Sequence, residues 1–340
     1  MSGATSLAQA TVAGRAEAVS GTRWRAPDGR RTLQLALAVV WLLDGVLQLQ
    51  PFFFVPGAKG FSGMLGGMAA GNPGFVARSI TWNASVVDHH AVATNTAFAF
   101  IQIFLGLGIA WRPSARAALG ASVIWSVSVW WFGEGLGGVL QGHGNPIAGG
   151  PGAVLFYALL AVLLWPSERS GAGRPFVAAR AVGTPVAKAI WAVVWSGLAL
   201  LSLVGSGRSP QGARAVIAGV DEGEPRWLAG IDRHAESMVA HRGLAVAVVL
   251  AVICVTVALG VFLPAPAGRV TIGLAIVTAA VIWVVGQNFG MILAGSATDP
   301  NSGPLLILLA LAYWPRRRRP VSDDSGSDRA PVVATVGGVV

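Results

Sequence analysis

Long apolar runs alternate along the chain with short segments rich in glycine, proline and arginine. Eight runs stand out, at about 33–54, 91–111, 117–138, 151–166, 189–206, 243–263, 270–293 and 304–315. Runs of roughly 17–23 residues are long enough to cross a hydrocarbon core of about 30 Å. Within lipid every backbone N–H and C=O must be paired inside its own segment, so each run predicts a helix. The last run is short, which predicts an earlier start or a tilt. The expected fold is therefore all-α, a polytopic membrane protein with about eight transmembrane helices.

The pattern is written twice. Pro113 to Pro151 aligns without a gap on Pro266 to Pro304, at a constant offset of 153. Identical pairs include Pro113/Pro266, Arg116/Arg269, Gly120/Gly273, Trp130/Trp283, Gly133/Gly286, Gly137/Gly290 and Pro151/Pro304. Both stretches run on to Trp-Pro, at Trp165-Pro166 and Trp314-Pro315, and Ala38-Val39-Val40-Trp41 recurs as Ala192-Val193-Val194-Trp195. A tandem duplication follows. It predicts a tail at 1–32, a four-helix repeat at 33–166, a linker at 167–188, a second repeat at 189–315 and a basic tail at 316–340. Four helices per copy give both copies the same orientation, a parallel repeat.

Composition agrees with this picture. The chain is 54% hydrophobic and 11% charged, against about 25% charged in soluble domains. Residues 1–30 are polar and small, unlike a signal peptide. Basic residues gather beside alternate span ends: Arg23, Arg25, Arg30 and Arg31 before the first, Arg112 and Arg116 between the second and third, Arg169, Arg174, Arg180 and Lys188 in the linker, Arg269, and Arg316 to Arg319. With Arg15 and Arg329 these are most of the 24 basic residues, and the positive-inside rule puts that side and both termini in the cytoplasm. The expected location is the inner (plasma) membrane. The net charge of +9 reports topology and attraction to anionic lipid, and no nucleic-acid partner is expected. The single cysteine, Cys254, excludes an internal disulfide, thiolate clusters and CxxC chemistry, and reads as a packing residue.

The longest outer loops follow the first span of each copy, at 56–88 and 207–241. In the former, Phe61, Met64, Leu65 and Met68 fall on one helical face, which predicts a short interfacial helix. Trp82, Trp111, Trp165, Trp227 and Trp314 near span ends read as interfacial anchors.

Charged groups within a span default to functional candidates. Asp44 lies midway along the first span with Gln48 one turn on. Asp88, Asn95 and Gln102 recur every seven residues and predict one polar stripe on the second helix, and Glu134 lies toward the outer end of the third. The candidate polar pocket is therefore Asp44, Gln48, Asp88, Asn95, Gln102 and Glu134. The duplication pairs Asp44, Gln48, Asn95 and Gln102 with Leu198, Ser202, Val248 and Val255, Asp88 with His241, and Glu134 with Gln287. The polar stripe is thus mostly confined to the first copy, where any activity is expected. The alternative is that Asp44 and Glu134 only tie helices together. All five histidines fall on the predicted outer side. His89 and His143 are the weak candidates for a metal or haem iron, and neighbouring His89 and His90 point too far apart to share an ion. Gly133-xxx-Gly137 and Gly286-xxx-Gly290 read as close helix packing. Gly133-Glu134-Gly135-Leu136-Gly137-Gly138 is no dinucleotide loop, because no strand precedes it.

The four-helix plan resembles the DoxX-like family of bacterial membrane proteins. The matching features are Trp41-Leu42-Leu43-Asp44-Gly45, the glycine-rich loop 57–74, and Gln102-Ile103-Phe104-Leu105-Gly106-Leu107-Gly108. DoxX-like units often carry Glu where Gln102 stands. The resemblance implies a quinone-coupled or redox function, with membrane or redox protein partners beside the bilayer and quinone or haem as candidate cofactors. Three functions are carried forward: a redox component in which Asp44, Gln48 and Glu134 handle a proton or polar head group, a small-solute transporter or binder, and a non-catalytic membrane scaffold. No nucleophile–base pair or phosphate loop assigns an enzyme activity.

Overall fold

The computed structural model describes residues 28–167, 174–204, 208–219 and 226–316. The expected tails, the middle of the linker, parts of the 207–241 loop, and Arg15, Arg23, Arg25, Arg169, Arg317 to Arg319 and Arg329 lie outside the described residues.

All regular structure among the described residues is helical. The first half contains α1 (Gly29–Leu47), α2 (Phe61–Gly67), α3 (Gly74–His89), α4 (Ala91–Ala110), α5 (Ala115–Phe132) and α6 (Ala153–Leu163). The second contains α7 (Thr184–Leu203), α8 (Gly212–Ala218), α9 (Arg226–Val239), α10 (Gly243–Gly260), α11 (Ala265–Val281) and α12 (Ser302–Ala312). Four helical stretches are long and apolar enough to cross a membrane: Ala91–Ala110, Thr184–Leu203, Gly243–Gly260 and Ala265–Ala294. Their outward faces stay apolar and uncovered, with Phe104 65%, Val193 71% and Val270 74% exposed. Apolar surface on this scale calls for lipid or another hydrophobic cover.

Helix pairing is similar in the two halves. α1 lies along α4 and α5 along α6, while α7 lies along α10 and α11 along α12. The approach of α1 to α4 depends on Gly106, where a Cβ would sit 2.8 Å from the Ala38 carbonyl oxygen. The short helices α6 and α12 pack on each other at the centre, and α12 also touches α1. Leu160, Ala161, Leu309 and Ala310 are fully buried there.

Arginines close one end of the bundle. The Arg31 guanidinium donates to the Ile109 carbonyl at 2.9 Å and to that of Ala110. Arg30 donates to the Trp165 and Ser167 carbonyls, and Arg116 to Pro166. The Arg31 guanidinium satisfies the last carbonyls of α4 and meets the negative pole of its dipole, while Arg30 and Arg116 hold the chain just beyond α6. Gln34, buried on α1, adds a bond to the Leu164 carbonyl at 2.8 Å.

The helices are shorter than the apolar runs because two of them break. α5 stops at Phe132, where the run 117–138 predicted continued helix, and four consecutive residues then adopt left-handed backbone, Gly135 to Gly138. α11 passes into a π turn, Ile282–Gly286, and Asn288 to Met291 repeat the left-handed geometry. The glycines at 133, 137, 286 and 290 therefore do not form a helix-packing face. Gly137 and Gly290 serve a different need, positive φ together with close backbone approach. A Cβ at Gly137 would overlap the Pro151 carbonyl oxygen, and one at Gly290 would lie 2.7 Å from that of Pro300.

A second latch accompanies each break. The Trp130 indole donates to the Pro151 carbonyl at 2.7 Å, and the Trp283 indole to that of Pro300 at 2.8 Å. The first connection spans 21 residues and the second 17, so the ungapped pairing of Pro151 with Pro304 is displaced by four residues. The segment before α12 is shorter by that amount, consistent with the spacing of the two Trp-Pro endings. A smaller slip affects α10. The buried positions of α4, including Ala91, Asn95, Ala99, Gln102 and Leu105, match Gly243, Ala247, Ala251, Cys254 and Val257. The partners of Asn95 and Gln102 are thus Ala247 and Cys254, while Val248 and Val255 face outward. Trp41, Asp44 and Gln48 keep their expected partners, since Trp195, Leu198 and Ser202 are buried in the same rhythm.

The outer loops carry more helix than expected. Phe61 and Leu65 of α2 are buried against α3 and the 3₁₀ turn Pro51–Phe54, while Met68 is exposed. The sequence reading missed α3, sixteen residues with exposed Phe75 and Trp82 and buried Val76 and Ile80.

Candidate functional site

A cavity of about 830 Å³ opens beside the two broken helices and is lined by both halves. This size suits a small organic ligand, for which pockets run about 300–1,000 Å³. One wall is aromatic. Phe61, Phe98 and Trp125 form an edge-to-face series with ring centroids 6.5 and 5.4 Å apart, and Trp41 and Phe132 extend it. The other wall is polar and carries Asp44, Gln102, Glu134, Gln287, Asp299 and Asn301.

Asp44 is 2% exposed on α1, and its Oδ1 has no hydrogen-bond partner. Tyr157 of α6 stacks on Trp41 at 4.4 Å and brings its hydroxyl beside the Asp44 carboxyl. Trp41 is itself fixed by an indole bond to the Ser122 hydroxyl at 3.0 Å. Gln102, 8% exposed on α4, also leaves its Oε1 unpartnered. The Trp125 indole N–H is an unpaired donor on the facing wall.

Glu134 follows the break after α5. Its Oε1 accepts from the Val154 amide at 3.4 Å, capping the N-terminus of α6, and its Oε2 has no partner. A carboxylate there meets unpaired N–H groups and the positive pole of the helix. Gln287 does the same for α12. Its Oε1 accepts from the Gly303 amide at 3.1 Å and its Nε2 donates to the Ser302 hydroxyl at 2.8 Å. The amide saturates its neighbours, whereas the carboxylate keeps one oxygen free.

Asp299 was not anticipated. It lies in the shortened segment before α12, accepting from the Thr298 hydroxyl and the Asn301 amide, each at 2.7 Å. It shares the cavity lining with Asp44 and Glu134. Its signal was the four-residue difference in Trp-Pro spacing, which marks this segment as rebuilt rather than copied. The cavity is thus not confined to the first half, as the sequence had indicated.

Two expected pocket residues lie elsewhere. Asp88 belongs to α3, because the chain breaks at His90 before α4 begins, so the predicted heptad stripe is split between two helices. Its carboxylate accepts from the Gly57 amide at 2.6 Å and the Ser62 hydroxyl at 2.8 Å, which fastens the loop before α2. The Ser62 and Gly57 bonds hold its pKa below the usual carboxylate range. Asn95 is fully buried behind Gln48. Its Nδ2 donates to the Gln48 carbonyl at 2.8 Å, and its Oδ1 accepts from the Gln48 side chain. Gln48 reaches the cavity, and Asn95 clamps it.

The histidines do not converge. His89 bonds the Ser85 carbonyl of its own helix at 2.7 Å, while His143 lies at the cavity edge. Among the described residues no group of three His, Cys, Asp or Glu side chains could hold a metal ion.

Comparison with protein families, curated proteins and solved structures finds no match to this chain.

Proposed function

We propose that the chain is an eight-span membrane protein, two parallel copies of a four-helix unit, that binds a small amphipathic molecule between the copies. The observation that carries this reading is the cavity itself. It has an aromatic wall, unpartnered buried polar atoms on Asp44, Gln102 and Glu134, and contributions from both halves. Unpaired buried polar atoms are costly, and a polar ligand would satisfy them.

The eight-span plan draws support from the matching helix pairs, the paired left-handed breaks and the two indole latches. α6 and α12, with 11 residues each, extend only about 16 Å. The non-helical segments before them would occupy the remaining membrane depth. Such backbone is tolerated there when protein buries it or when it lines a cavity, as in transporters with discontinuous helices. The arginine-closed end would face the cytoplasm, in the plasma membrane.

A redox component of DoxX-like type is the second reading. The free Trp125 N–H favours it, since that donor suits a quinone carbonyl across from the carboxyls.

Native mass spectrometry of protein extracted gently from membranes tests the pocket. A small molecule should co-purify in stoichiometric amount and be lost from Ala148→Trp, which plugs the cavity edge at an exposed position. Its chemical identity separates a quinone from a transported solute. No retained molecule in wild type, or equal retention in Ala148→Trp, would defeat the reading.

A further inference from the structure

The cavity gathers more carboxyls than its walls have basic side chains to pair with. Asp44, Glu134 and Asp299 bring three carboxyls to it, and no lysine or arginine lines it among the described residues. The three carboxyls come from separate segments, α1, the break after α5 and the stretch before α12. In a low-dielectric interior, carboxyls that share one cavity either take up protons or stay ionised beside a compensating cation.

Of the unpartnered side-chain atoms on the cavity lining, three are acceptors and one, the Trp125 indole N–H, is a donor. Asp44 Oδ1, Gln102 Oε1 and Glu134 Oε2 are all acceptors, and the first two belong to residues more than nine-tenths buried. An acceptor-rich wall selects a ligand that donates or is positively charged. A small inorganic ion fits poorly, because no three of these side chains converge tightly enough to ligate a metal among the described residues. The facing rings of Trp41, Phe98 and Trp125 offer π-faces and apolar area to a larger cation.

We propose that the cavity binds an organic cation, a protonated amine or quaternary ammonium with an aromatic or alkyl body. Its charge lies among Asp44, Glu134 and Asp299, and its body lies against Trp41, Phe98 and Trp125. The proposal rests on the pocket reading above and specifies the ligand class.

Paired probes test it with full-length protein in lipid nanodiscs. One is 2-(naphthyl)ethyl-trimethylammonium, whose charge does not depend on pH. The other is its neutral isostere, with carbon replacing the quaternary nitrogen. Isothermal titration should show the cation binding at least tenfold more tightly. Asp44→Asn and Asp299→Asn should each remove most of that preference. Asp88→Asn, which alters a carboxyl outside the cavity, should keep it. Thermal unfolding checks that the variants are folded, and Glu134→Gln is a further variant should either of the others fail.

Equal binding of the two probes would overturn the cation proposal and leave the pocket reading standing. Binding of neither would overturn both. Saturable competition by millimolar sodium, beyond that of caesium at equal ionic strength, would assign the charge to an inorganic ion and also overturn the proposal.

Discussion

Replacing Gly137 by alanine tests the left-handed break after α5 most directly, and Gly142 supplies the control. Both glycines have similar positive φ, 60° and 68°. A left-handed conformation costs an L residue roughly 1–2 kcal/mol, and this contribution should be common to both substitutions. Their surroundings differ. The new Cβ at Gly142 meets nothing within 4 Å, whereas at Gly137 it would overlap the Pro151 carbonyl. Moving that carbonyl breaks the 2.7 Å bond from the Trp130 indole. Loss of the bond is worth about 1 kcal/mol, and stranding a buried donor raises the penalty toward about 3 kcal/mol. Gly137→Ala should therefore destabilise the protein by about 1–3 kcal/mol more than Gly142→Ala. SDS-titrated unfolding in mixed micelles, followed by tryptophan fluorescence, measures the difference. Equal losses at the two sites would refute the latch and leave only a generic glycine preference.

Two further outcomes can be checked alongside. Because the folded pKa of Asp88 is depressed, its stabilisation of the 57–62 loop is fully present above the unfolded value of about 3.9 and disappears as pH falls through the folded value. Amide exchange protection around Ser62 should fall on acidification in wild type but not in Asp88→Asn, and the same pH response in both would count against this cap. For the buried amide pair, Gln48→Leu or Asn95→Leu alone should each cost about 1–3 kcal/mol by stranding its partner. The double variant should cost clearly less than their sum in a double-mutant cycle, and strict additivity would show that the two amides act separately.

Residues whose environment is set by local pattern were legible in the sequence. The apolar runs announced helices, and buried Asp44, Gln48 and Gln102 and half-buried Glu134 were found because polar groups in such runs stand out. The failures have physical causes. Residues 133–138 were read as helix although four of the six are glycines, which permit the left-handed backbone found there, whereas 287–293 carries a single glycine among Phe289, Met291, Ile292 and Leu293. Asp88 was assigned to the wrong helix because the interruption at His90 carries no proline or glycine. Val248 and Val255 were matched with Asn95 and Gln102 because a one-residue slip is invisible in an all-apolar helix. Burial reveals it, since Ala247 and Cys254 lie inside. Asp299 sat in what read as a turn, and only the cavity it shares with Glu134 and Asp44 gives it significance.

The shortness of α6 and α12 has a consequence for how the protein is made. Neither helix emerges from the ribosome with enough length to be held by lipid alone. On the proposed eight-span plan each would enter the bilayer as the second arm of a hairpin, α6 with α5 and α12 with α11, joined by the Trp130 and Trp283 latches. Because α12 packs on both α6 and α1, the acidic wall would stay open until α12 has been synthesised. A chain cut before Ser302 would insert most of its helices yet present Asp44 and Glu134 without their cover, leaving a truncated product recognisable to membrane quality control.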